Sequence, residues 1–169
     1  MQDYLHCISG KTSTLFSGLA LGVSIIAKET EENSQAIESI FFQLGHIFQI
    51  QDDILDLYGD KMRGELGCDI KEGKISYLIV THLQNNPGDL NTIKTILQKD
   101  RIHTTDSDVQ LIENLFKQKQ TAKVAIESLA HRVELLLGNQ YLIQNPALKR
   151  LIESLVTKVL KPIQNINIV

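Results

Sequence analysis

Apolar residues recur at three- and four-residue intervals along almost the whole chain, and hardly any stretch alternates with period two. Ile37, Ile40, Phe41, Leu44, Phe48 and Ile50 fall at helical spacing and predict a helix from residue 31 to residue 58. Ahead of it, residues 3–28 read as one helix rich in small residues, with Leu15, Phe16, Leu19 and Val23 as its apolar face. Residues 59–73 are polar and glycine-bearing and read as a loop. A short helix over 74–84 stops at Asn85-Asn86-Pro87-Gly88. Another covers 89–98, capped by Asp89 or Asn91. A long helix over 105–139 is opened by Thr105, Asp106 and Ser107 and closed by Gly138-Asn139. Asn145-Pro146 starts a last helix that runs to about Lys161. The pattern predicts an all-α helical bundle, with no internal repeat and no low-complexity linker: one domain or part of a larger one.

The first helix begins almost at residue one, without a cap, and its apolar face needs a covering partner. A cut through a larger fold is one expectation from this. Composition adds little: 43% hydrophobic and 22% charged residues are ordinary for a globular protein. A net charge of -3 gives no basic field, so no nucleic-acid partner is expected. Anionic substrates stay open, because a bound metal ion inverts the local charge. Cys7 and Cys68 make neither a ligand pair nor a disulfide framework, and no zinc site is expected. The longest apolar stretch, residues 15–27, is interrupted by Ser17, Gly18, Gly22 and Ser24 and is shorter than the ~20 residues of a membrane span. With no basic region at the N-terminus, no signal peptide is expected, and a soluble cytoplasmic protein is the default.

The densest chemistry lies in Phe48-Gln49-Ile50-Gln51-Asp52-Asp53-Ile54-Leu55-Asp56. On a helix Asp52 and Asp56 lie about 40° apart, one turn along the axis. Gln49 and Gly45 continue the stripe toward the N-terminus, while Ile50, Ile54 and Leu57 take the other side. Three carboxylates on one turn repel each other, so a cation must help hold them in a partly buried site. Oxygen-only ligands select a hard cation, and magnesium is usual where a phosphate shares the coordination sphere. The competing reading is a solvated acidic face; the apolar neighbours Phe48, Ile50, Ile54 and Leu55 favour function. A calcium loop fits poorly, because the acids are not at alternate positions. Downstream, Gly67-Cys68-Asp69-Ile70-Lys71-Glu72-Gly73-Lys74 can bring backbone and a lysine close to a phosphate, or can be a surface loop. Gly10-Lys11-Thr12 is no nucleotide loop: Leu5 stands where that pattern needs glycine, and no strand precedes it. Lys11 either meets an anion or snorkels to the surface.

In this order the segments resemble the trans-isoprenyl diphosphate synthases, the farnesyl, geranylgeranyl and longer polyprenyl diphosphate synthases. Tyr4 with Lys11-Thr12 is similar to that family's Tyr…Lys-Thr helix, residues 45–56 to its second aspartate-rich motif, and residues 67–74 to its Gly-x-Asp…Lys element. The resemblance covers nearly all of the chain. It implies an isoprenoid synthase fold and a prenyltransferase in isoprenoid biosynthesis, which condenses an allylic diphosphate with isopentenyl diphosphate. It implies Mg2+ as cofactor, with Asp52, Asp53 and Asp56 as the metal group and Asp53 in a supporting part. Lys11 and Lys74 would contact the diphosphate, Thr12 and Gln49 would line the pocket near the reacting carbon, and Asp69 would orient Lys74 or a metal-bound water. A homodimer is expected, and residues 1–169 are expected to be the C-terminal portion of a single synthase domain.

Two departures from the family pattern stand out. Its first aspartate cluster and its basic anchors for isopentenyl diphosphate have no counterpart here and are expected before residue 1. Where the family usually has a lysine, this chain has Glu65, so one cationic diphosphate contact is expected to be lost unless Lys61 or Arg63 substitutes or the loop is shifted. Two alternatives to a catalytic synthase segment are a non-catalytic, synthase-like regulatory subunit and a class I terpene cyclase. Gln51 directly before the aspartates and the Gly-x-Asp…Lys element argue against the cyclase.

Overall fold

A computed structural model describes residues 1–60, 65–164 and 166. Of the described residues 83% are helical, and no strand occurs among them. Helices α1 (Gln2–Ile8) and α2 (Thr14–Ile26) are joined by a π-helical turn, Ser9–Ser13. Then follow α3 (Glu31–Tyr58), α4 (Cys68–Lys71), α5 (Tyr77–Asn85), α6 (Leu90–Leu97), α7 (Asp106–Gln118), α8 (Thr121–Leu137), α9 (Gln140–Gln144) and α10 (Pro146–Gln164). No helix among the described residues is long and apolar enough to cross a membrane.

The chain divides into two compact units. The first is built on Asp52–Ser128 and the chain from Pro162, the second on Gln2–Gln51 and Leu129–Lys161. In the first, Ile54, Ile70, Tyr77, Leu78, Ile79, Ile93, Ile112 and Phe116 are buried. In the second, Ile8, Ile40, Leu44, Ile47, Ile50, Leu129, Leu136, Leu142 and Ile152 are. The helix expected over 31–58 is found with those bounds, because its apolar stripe repeats at helical spacing along its whole length.

Elsewhere the structure corrects the sequence reading. The helix expected over 3–28 carries the π turn, and it ends at Ile26, before Lys28 at φ 60°. The helix expected over 105–139 is broken: Gln120 takes φ 53°, a left-handed conformation unusual for a residue with a Cβ. Helix α8 restarts at Thr121, which is buried, with its Oγ1 2.8 Å from His82 Nδ1. The start of α7 is as the sequence predicts. Thr105 Oγ1 accepts from the Asp108 amide, and the Asp108 carboxylate accepts from the Thr105 amide at 2.9 Å, a reciprocal capping box. Lys99 beside Asp108, followed by these Thr105 bonds, holds the Asp108 carboxyl at about 2. Asp89 does not cap α6; its carboxylate bonds His82 Nε2 at 2.9 Å.

Candidate active site

The candidate residues fall into two groups, one on each unit. On the first unit, Asp52, Leu55, Asp56, Glu65, Leu66, Cys68 and Asp69 line a cavity of about 490 Å³. Asp52 is exposed and Asp56 half-buried. The Asp56 carboxylate accepts from the Asp69 amide at 3.1 Å, and the Asp56 carbonyl accepts from the Gly67 amide at 2.8 Å. Gly67 is required here: it sits at φ 73°, and a Cβ on it would lie 2.6 Å from Val109 Cγ1. The short helix α4 therefore presents its first amides to the end of α3. Burial pushes the Asp56 carboxyl up to about 6; the charges of Asp69 and Asp52 add to this, while the Asp69 amide and Lys74 oppose it. Lys74 Nζ lies 2.6 Å from Glu72 and 2.9 Å from Asp69, and these two carboxylates hold its ammonium well above its ordinary range. Arg101 pairs with Glu72 from α6's C-terminal side, a contact that nothing in the local spacing signals.

The carboxylates fit a hard cation. The donors are all oxygen, and burial with the charges of Asp69 and Asp52 disfavours the Asp56 carboxylate, an effect that a cation opposes. Among the described residues no three His, Cys, Asp or Glu side chains are placed to enclose a metal ion. Asp52 and Asp56 would thus supply only part of a hard cation's oxygen shell.

On the second unit, Thr12 sits in the π turn and donates its hydroxyl to Gln49 Oε1 at 2.6 Å, both side chains being buried. This pairing depends on close backbone approach, since a Cβ at Gly45 would lie 2.6 Å from Ser13 Cα. Ser9 of the same turn lies 2.9 Å from His46 Nε2. π-helical turns are uncommon and concentrate at functional sites. Lys11, in that turn, is exposed and has no ion-pair partner among the described residues. The exposed Leu15, Leu19 and Val23 of α2, with Phe16, Phe41 and Leu151, line an apolar groove of about 530 Å³.

Asp53 and Glu65 are each engaged within the first unit. Asp53 does not join Asp52 and Asp56 in the cavity: it is buried, and its Oδ2 accepts from the Tyr77 amide at 2.7 Å, where α5 begins. The sequence held a signal for this, since Asp53 lies one turn from Ile50 and Leu57 and thus on the apolar face. Glu65 is not an uncompensated anion. It pairs with Lys71, a buried lysine that also bonds Asp106 at 2.6 Å. Lys61 and Arg63, the possible substitutes, lie outside the described residues.

The sequence profile described as polyprenyl synthetase matches residues 1–118. The chain is 32% identical over 165 residues to the geranylgeranyl pyrophosphate synthase esdpD of Penicillium shearii, covering 93% of this chain and 40% of that one. It is 31% identical over 137 residues to the short chain isoprenyl diphosphate synthase of Methanocaldococcus jannaschii, covering 79% of this chain and 37% of that one. A crystal structure of a geranylgeranyl pyrophosphate synthase superposes with a TM-score of 0.83 at 25% identity, over 95% of this chain and 51% of that one. The chain thus spans about half or less of the length of these relatives. With a profile match over most of its length and this shared fold, the chain belongs to the polyprenyl synthetase family.

Proposed function

We propose that residues 1–169 are part of one synthase domain of a prenyltransferase that condenses an allylic diphosphate with isopentenyl diphosphate. The observation that carries this reading is the acidic cavity, where Asp52, Asp56 and Asp69 converge beside the ion-paired Lys74. Asp52 and Asp56 would hold magnesium, which when bound supplies charge neutralisation for a departing diphosphate. Asp69 keeps Lys74 charged and oriented, and fixes Asp56 through its own amide. Lys74 and Lys11 are assigned to the diphosphate oxygens. Thr12 and Gln49 are assigned to the wall near the reacting carbon, their mutual hydrogen bond keeping both side chains in place. Preorganised charges of this kind act most strongly where water is excluded.

Titration calorimetry tests the reading. Magnesium alone is expected to bind weakly, and magnesium with pyrophosphate to bind measurably, with loss of that binding in Asp52→Ala and in Asp56→Ala. Unchanged binding in Asp52→Ala would remove the metal assignment.

A homodimer and a cytoplasmic location belong to the same reading. The exposed apolar side chains of α2, Leu15, Leu19, Val23 and Ile26, support association, since contiguous apolar surface of this kind marks contact sites. Light scattering is expected to give the mass of two chains, and a monomer at every concentration would refute the dimer.

A further inference from the structure

A small cavity of about 70 Å³ lies wholly within the unit built on Gln2–Gln51 and Leu129–Lys161. It is lined by Gln43, His46 and Ile47 of α3 and by Arg132 and Leu135 of α8. No carboxylate is among these residues. The Nε of Arg132 is buried and meets no hydrogen-bond acceptor, and Arg132 has no ion-pair partner among the described residues. An unsatisfied, desolvated guanidinium nitrogen is costly, and such a group in a folded protein calls for a partner.

His46 supports the same conclusion from the other wall. Its imidazole is held below its ordinary range by burial and then by the positive charge of Arg132, against a backbone hydrogen bond to Leu5 that raises it, so His46 and Arg132 share one field. Its Nε2 is already committed. Ser9 Oγ gives its only proton to the Leu5 carbonyl at 2.7 Å, so at 2.9 Å it accepts from His46 Nε2–H. Nδ1, an acceptor in this tautomer, becomes a donor when an anion draws a proton onto the ring. Gln43 adds an amide donor. The cavity thus gathers three donor-bearing side chains and no carboxylate. Its size excludes an isoprenoid tail, which the 530 Å³ groove of the same unit could house.

We propose that this cavity is a binding site for a small phosphate-type oxyanion, held by the Arg132 guanidinium with His46 and Gln43 as further donors. A water could satisfy Nε but not the charge; an oxyanion does both. The site shares no residue with the acidic cavity and stands whether or not the prenyltransferase reading does.

The test is nitrogen-detected NMR of the His46 ring in the whole chain, titrated with inorganic phosphate at constant ionic strength and without magnesium. The His46 signals are expected to shift saturably. Lys74→Ala is expected to leave that titration intact, because Lys74 lies outside the cavity. Arg132→Gln is expected to weaken binding at least about tenfold, and Arg132→Lys, which keeps the charge but loses the Nε donor, to weaken it similarly. Acetate in place of phosphate is expected not to saturate. Unmoved His46 signals, a linear shift showing only general salt effects, full binding in both Arg132 variants, or equal saturation by acetate would each overturn the proposal. If Arg132→Gln does not fold, Arg132→Lys alone decides.

Discussion

Asp53→Ala is expected to lower the unfolding free energy by about 2 kcal/mol, the scale of a lost hydrogen bond to a charged group. Asp52→Ala, one residue away, is expected to leave stability within about 0.5 kcal/mol, as for an exposed surface change. The difference follows from where the helix turns each carboxylate. Asp53 faces inward, and its Oδ2 is the acceptor for the first amide of α5, whose own N-cap, Ser76, makes no side-chain cap bond. Removing that carboxylate takes away the acceptor that holds the amide of the buried Tyr77, at the start of a helix whose N-cap residue offers no side-chain bond. Asp53→Asn keeps an oxygen there and is expected to recover part of the loss. Urea unfolding followed by circular dichroism gives the stabilities, and pyrophosphate calorimetry gives the binding. If Asp53→Ala unfolded like the unmodified chain yet lost magnesium-dependent binding, Asp53 would be a metal ligand after all.

The contrast shows what a sequence can and cannot specify. Helix α3 was readable to its last residue because its burial pattern is local and periodic. The left-handed Gln120 and the π turn at Ser9–Ser13 were not readable. Neither has its cause nearby: one restarts a helix where Thr121 meets His82, and the other seats Ser13 against Gly45. The same holds for charge. The acidic stripe of Asp52 and Asp56 is a helical spacing, but the partner of Glu65 is fixed by a loop that brings it to Lys71, and the partner of Lys71 is Asp106 on α7. Glu65→Lys would therefore place one ammonium beside another, so it is not a simple restoration of a diphosphate contact. Lys71 lies two residues from Asp69, so the bridge to Asp106 also steadies the helix whose amide holds Asp56.

These 169 residues on their own are expected to give no elongated prenyl product above background from an allylic diphosphate, isopentenyl diphosphate and magnesium. Ionising an allylic diphosphate requires its charge to be neutralised from more than one side in a dry site. The sequence supplies one Asp-Asp-x-x-Asp cluster, and only Asp52 and Asp56 of it, with Asp69, reach the acidic cavity. Lys74, which pairs with Asp69, is also shared with Glu72. The alkene must also be held over the nascent cation, and positioning of that kind can account for roughly 7–11 kcal/mol of a bimolecular barrier. The basic anchors that the family resemblance assigns to isopentenyl diphosphate are not among these residues. The 169 residues span about half or less of their relatives' length, and in this assay they are expected to leave a cation open to water. A radiolabelled-product assay checks this, and turnover that disappears in Asp52→Ala would overturn it. Activity that returns only on mixing with a polypeptide carrying the other aspartate cluster would identify a segment of a catalytic synthase. A changed product length when the chain is added to an intact synthase would instead identify a regulatory subunit, acting through the exposed apolar face of α2.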